Sequence, residues 1–123
     1  MNKFGEFLKQ KRLEKKMGLR KFARIVNIDP SYIIRIERGT VPPPGEKETL
    51  DFFAEALDFA PDSDDYKKLF DLSAQERGSY VPEDVKSKFG NPELIPIFLR
   101  TIASKKLDKE EIESIVNYIK ENY

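Results

Sequence analysis

DPSYIIRIERG, residues 29–39, is the stretch on which the reading of the whole chain turns. Asp29 carries a short carboxylate able to accept a backbone N–H at a helix start. Pro30 suits the first helical position, where no N–H is needed. Gly39 readily takes the left-handed conformation that ends a helix. The stretch therefore predicts a short helix over 30–38. Tyr32, Ile33 and Ile36 fall on one face of it, and Ser31, Ile34, Arg35 and Arg38, spaced i, i+3, i+4 and i+7, fall on another. The isoleucines at 33 and 36 would hold the helix down on a core. The serine and the arginines are what it would display.

Working upstream, Phe22, Ala23 and Val26 make the inner face of a second short helix over 19–26. Asn27 follows, and asparagine tolerates the left-handed conformation at a helix end. Two short helices joined by a tight turn form a helix-turn-helix. In that unit the second helix lies in the DNA major groove and its first residues touch base edges. Phe4, Phe7 and Leu8 predict a first helix over 3–16, with the aliphatic stems of Lys11 and Lys15 continuing its stripe.

Downstream, the prolines of TVPPPG (40–45) interrupt the helical ladder. Leu50, Phe53, Ala54 and Leu57 then mark a helix over 46–58. Tyr66, Leu69, Phe70 and Leu72 mark another over 63–76, capped by Asp62 or Ser63. A short helix is expected over 82–89. Asn91-Pro92 reads as a cap and start leading into ELIPIFLRTIAS, with regular helix from Pro96. The last helix, 109–122, begins with a capping box of Asp108 and Glu111. Leu107 and Ile112 stand at its hydrophobic-staple positions, and Ile112, Ile115, Val116 and Ile119 form its stripe. No segment alternates like a strand. The fold class expected is all-α, with about five helices in a bundle and two or three short helices after it. The best boundary is RGSYVP at 77–82, dividing the chain into 1–76 and 82–123.

Composition narrows the chemistry. The chain has 123 residues, 39% hydrophobic and 36% charged, so a modest core can form. It has no cysteine and no histidine. That removes thiol chemistry, histidine-based triads and the commonest zinc ligand, so neither an enzyme nor a cofactor or metal site is expected. No apolar run approaches the roughly 20 residues a membrane span needs, and no secretory h-region is visible. A cytoplasmic location is the expectation. PDSDD (61–65) superficially suggests a calcium loop but lacks its glycine and final glutamate; a helix cap with first-turn acids explains it better.

Zero net charge conceals an asymmetry. Residues 1–40 hold eleven Lys/Arg against four Asp/Glu, a net of +7, and residues 41–80 hold four against ten, a net of −6. The first block attracts a polyanion and the second repels one. KQKRLEKK (9–16) reads either as part of a nucleic-acid patch or as a solvated helix face.

Residues 5–57 resemble the Cro/CI-type helix-turn-helix repressors, the XRE family with the lambda-repressor-like fold. The resemblance lies in GEFLKQKRLEKKM, GLRKFARIVNIDPSYIIRIERG, the proline-rich turn and ETLDFFAEAL. Ala23 matches the family's small residue, Ile28 its apolar turn residue, and Ile33 and Ile36 its buried pair. The resemblance implies a salt bridge between Arg12 and Glu37. There are three departures. Leu19 replaces the usual glutamine at the start of the second helix, which shifts anchoring to Arg20 or Lys21. Asn27 replaces the turn glycine. Ile34 replaces a polar residue, and either packs on a thymine methyl or is buried by the C-terminal region, which would count against the outward face.

Expected roles follow. Ser31, next to Pro30 at the helix start, would hydrogen-bond a base or a phosphate, and Arg35 would pair bidentately with guanine. Arg38, Arg20, Lys21 and Thr40 would contact phosphates, as would the Tyr32 hydroxyl. The implied activity is sequence-specific transcriptional regulation, as a repressor on a double-stranded DNA operator. A single such unit spans few base pairs, so a homodimer is expected. The apolar block around Leu94, Ile97, Phe98 and Ile102, with Ile115 and Ile119, would be either a second small core or the dimer or partner contact. The architecture resembles antitoxins and mobile-element repressors, whose partners include basic toxins or proteases. The competing reading is a helical protein-interaction module that does not use DNA.

Overall fold

A computed structural model describes residues 3–79, 81–86, 88–89 and 93–123, and every regular element among them is a helix. The first six are α1 (Lys3–Glu14), α2 (Leu19–Val26), α3 (Pro30–Arg38), α4 (Lys47–Ala56), α5 (Asp64–Glu76) and α6 (Glu83–Lys86). They belong to one compact unit, Met1–Lys88. A second unit, Phe89–Tyr123, holds α7 (Leu94–Ser104) and α8 (Lys109–Asn122).

In the first unit each helix contributes a buried apolar stripe. Phe4 and Leu8 of α1, Phe22 of α2, Ile33 and Ile36 of α3, Leu50 and Phe53 of α4, and Leu69 and Phe70 of α5 are almost wholly enclosed. The rings of Phe22 and Phe53 meet edge to face, with centroids 5.2 Å apart. Ala23 is buried where a larger side chain would push α2 off its neighbours. The Tyr66 hydroxyl donates to Asp51 at 2.7 Å and ties α5 to α4.

The ends of the helices follow the local chemistry. The Asp29 carboxylate accepts from the Ser31 N–H at 2.8 Å, and Pro30 opens α3. Gly39 stops α3 at φ 75°, a conformation costly for other residues. Asn27 ends α2 at φ 58°. Of the two candidate caps of α5, Ser63 serves, accepting from the Tyr66 N–H at 3.2 Å. The proline loop is held by α5 and its end: Ser73 donates to the Pro44 carbonyl at 2.6 Å and Arg77 to that of Pro43 at 2.9 Å.

Among the described residues, Arg12 is the one buried cation. It is 6% exposed, and its guanidinium makes three bonds. Nε and Nη2 donate to the two Glu37 oxygens at 2.8 and 3.0 Å, and Nη1 donates to the Met17 carbonyl at 2.9 Å. The fork thereby joins α1, the α1–α2 turn and the last turn of α3. This changes the stripe read for α1. Lys15 lies beyond its end, exposed and paired with Asp58, and Arg12 takes the inward position.

Two further differences concern the C-terminal region. Contacts divide the chain after Lys88 rather than at 77–82, because α6 packs on α5. α7 begins at Leu94, so Pro96 sits inside its first turn. First-turn N–H groups have no intrahelical acceptor, and a proline there forfeits no bond. The Asn91-Pro92 start lies outside the described residues. α8 carries the full capping box of Asp108 and Glu111, with bonds of 2.8 and 3.2 Å. No residue of α7 or α8 is buried.

Removing one partner of a buried ion pair strands the other. Arg12→Ala is therefore expected to cost about 3–5 kcal/mol in urea unfolding. The exposed neighbour change Leu13→Ala should stay within about 0.5 kcal/mol. Similar midpoints for the two variants would show that the Arg12 fork does not hold the core.

Candidate nucleic-acid interface

α3 is pinned from below. Ile33 and Ile36 are enclosed among α1, α2 and α3, and Tyr32 is half-buried against the same core. The opposite side of the helix carries Ser31, Arg35 and Arg38, all exposed. Ile34 is half-buried beside them, and Pro30 is exposed at the N-terminus. Arg20 and Lys21 are exposed at the start of α2, and Thr40 just beyond α3. Burying two isoleucines sets the rotation of the rod within narrow limits, the Arg12–Glu37 fork fixes it, and that rotation decides what faces outward.

Three contacts prepare this surface. The Ser31 hydroxyl donates to the Asp29 carboxylate at 2.6 Å, so its hydrogen is engaged while its lone pairs stay open. The Arg35 guanidinium lies 5.5 Å from the centre of the Tyr32 ring, a cation–π stack. The Thr40 hydroxyl donates to the Arg35 carbonyl at 3.2 Å, alongside the Thr40 N–H that reaches the same oxygen at 3.0 Å. The sequence reading missed all three. The i, i+3 spacing of Tyr32 and Arg35 was the available signal for the stack. Nothing in the sequence distinguishes a free serine hydroxyl from one held by a neighbouring carboxylate.

The electrostatics sharpen the block pattern. Lys11 pairs with Glu14 at 3.6 Å and with Asp65 at 3.4 Å, and Lys15 pairs with Asp58. The acidic middle third thus neutralises part of α1. Arg20, Lys21, Arg24 and Arg38 make no ion pair among the described residues. Positive charge thus stays open on α2 and α3, and at the exposed Lys9 and Lys16 of α1 and the turn after it. The nearby anion is Asp29, whose carboxyl is held below its ordinary value, first by the Ser31 hydroxyl and next by the Ser31 N–H.

The residues assigned to a dimer or partner contact lie apart from this surface in sequence. Leu94, Ile97, Phe98, Ile115 and Ile119 are exposed, and Ile102 is half-buried. No cluster of three metal-ligating side chains occurs among the described residues.

Residues 8–62, a little under half the chain, match the family model for helix-turn-helix proteins. No curated protein and no solved structure gives a match. The matched segment runs from α1 to the end of the α4–α5 connection and contains the whole surface just described. It is a DNA-binding helix-turn-helix domain. More specifically, it is similar to the XRE type found in transcription regulators. No described helix is long and apolar enough to cross a membrane.

Asp29 gives this surface a pH signature. A depressed folded pKa means that the cap stabilises above the unfolded value, about 3.9, and that its contribution is lost as pH falls through the folded value. Asp29→Asn keeps an acceptor but removes the titration. Its melting temperature should therefore fall less steeply with acid than that of the parent below about pH 4. Other carboxylates are common to both proteins, so parallel acid limbs would rule out a contribution from Asp29.

Proposed function

We propose that the protein is a sequence-specific repressor that reads the major groove with α3. The observation that carries this reading is the joint outward display of Ser31, Arg35 and Arg38 on a helix whose opposite side is locked by Ile33 and Ile36. Arg35 is the base reader. Its planar fork matches guanine O6 and N7, a pairing worth about 1–3 kcal/mol of discrimination. Ile34 lies beside it with an apolar edge suited to a thymine methyl. Ser31 accepts through its open lone pairs, or donates once its hydrogen leaves Asp29.

Arg20, Lys21 and Arg38 are phosphate contacts, which set position without reading sequence. Thr40 and the Tyr32 hydroxyl flank the same groove edge. Two copies occupy two half-sites about one helical turn apart. A protein seated there excludes polymerase from the same base pairs, and for that reason we read the regulator as a repressor.

The test is selection from a random duplex library, followed by titration of the selected site. Affinity should fall steeply with added salt, because phosphate neutralisation releases counterions. Arg35→Ala should lose preference at one or two base positions, about tenfold or more by the 1–3 kcal/mol above. Lys21→Ala should weaken all sequences alike and lower the salt slope. A Ser31→Ala, Arg35→Ala double variant that kept both affinity and preference would sink the assignment.

A further inference from the structure

Residues 19–40 carry two acids, Asp29 and Glu37. Glu37 turns inward to Arg12. Asp29 is thus the one exposed acid of this segment, amid the exposed Arg20, Lys21, Arg24, Arg35 and Arg38. A negative charge there repels the phosphates that the cations attract. Capping does not require the charge, because Ser and Asn cap about as well as Asp. The helix dipole favours an acid at this end, but any position in the first turn would serve that purpose.

The geometry supplies a second use. The Ser31 N–H at 2.8 Å and the Ser31 hydroxyl at 2.6 Å donate to the same oxygen, Asp29 Oδ1. Oδ2 of this exposed carboxylate keeps lone pairs open to the outside. With its hydrogen engaged, the Ser31 hydroxyl also shows lone pairs alone. The two side chains at the tip of α3 therefore offer acceptors and no outward donor. The Arg35 charge acts on the same carboxylate and keeps the anion in favourable company.

Acceptors meet few donors in the major groove. The base edges there offer the N4 amine of cytosine and the N6 amine of adenine. On adenine the neighbouring N7 is itself an acceptor and opposes a second lone pair. Cytosine carries no such atom beside its amine, so it is the better match. Ser31 precedes Arg35 by one turn, which separates their Cβ atoms by about 5–6 Å. Stacked bases rise about 3.4 Å, so the two readers address positions one or two base pairs apart. We propose that Asp29, steadied by Ser31, selects a cytosine through its N4 amine, one or two base pairs from the guanine that Arg35 reads. This deepens the major-groove reading of α3 and rests on it.

The test starts from the duplex selected by the full chain. It should hold a cytosine within two base pairs of the guanine whose preference is lost in Arg35→Ala. Replacing that cytosine, or exchanging its base for pyrimidin-2-one, which lacks the N4 amine, should weaken the parent about fivefold or more, the lower end for one base contact. In Asp29→Asn the Ser31 N–H still takes the side-chain oxygen, so an NH2 group faces out. Preference at this position should then move to guanine or thymine, which present acceptors. Asp29→Ser keeps a cap but falls short of the base, and should lose preference at this position alone. Both variants should keep the guanine preference of Arg35, which reports that α3 is still folded and seated.

A selected site with no cytosine at that spacing overturns the proposal. So does an unchanged cytosine preference in either variant, or a change in affinity equal for every sequence, the result expected of a cap or a surface charge. Failure of the underlying reading looks different: Arg35→Ala then changes no base preference either, and the proposal falls with it.

Discussion

The guanidinium of Arg12 is the contact on which the rest of the first unit depends. A buried charge tolerates few arrangements, because any geometry that loses its partners leaves an ion in a poor solvent. Here the partners are Glu37 on α3 and the carbonyl of Met17 in the turn before α2. Apolar contacts alone would let α3 slide or rotate slightly over its isoleucines. The fork removes that freedom, since both Glu37 oxygens are engaged at hydrogen-bond distance. The position of Arg35 on the outside is thus tied to a charge pair on the inside, two residues further along the same helix.

The distribution of charge is equally structural. The acidic middle third is not simply a second surface of opposite sign. Asp58 and Asp65 come back to meet Lys15 and Lys11, so α1 is partly neutralised and its cations are taken up in holding the bundle together. What remains open lies on α2 and α3, together with the exposed Lys9 of α1 and Lys16 just after it. Folding therefore converts an asymmetry along the sequence into a smaller, better-placed patch.

Much of this was legible in the residues because local and global preferences agree. Asp29-Pro30 and Gly39 fix the ends of α3, and Asn27 fixes the end of α2, without help from distant parts of the chain. The resemblance supplied Arg12–Glu37, which joins residues 25 apart and has no local signal. What escaped depends on tertiary position. Lys15 has the spacing to continue the α1 stripe, but the helix ends first and Asp58 draws the ammonium outward. Pro96 signals a break, yet its place in the first turn of α7 makes it harmless. The engagement of Ser31 and Thr40 hydroxyls within the protein depends on side-chain rotamers, which composition and period do not encode.

The stack of Arg35 on Tyr32 has a consequence for association. A free arginine at the surface samples many rotamers, and ordering such a side chain at an interface costs roughly 0.5–1.5 kcal/mol. Tyr32 is itself anchored by the core, so its ring offers a fixed shelf on which the guanidinium already rests. The narrowing of Arg35's conformations accompanies folding, so on the proposed reading less of that ordering is left for the encounter with a duplex.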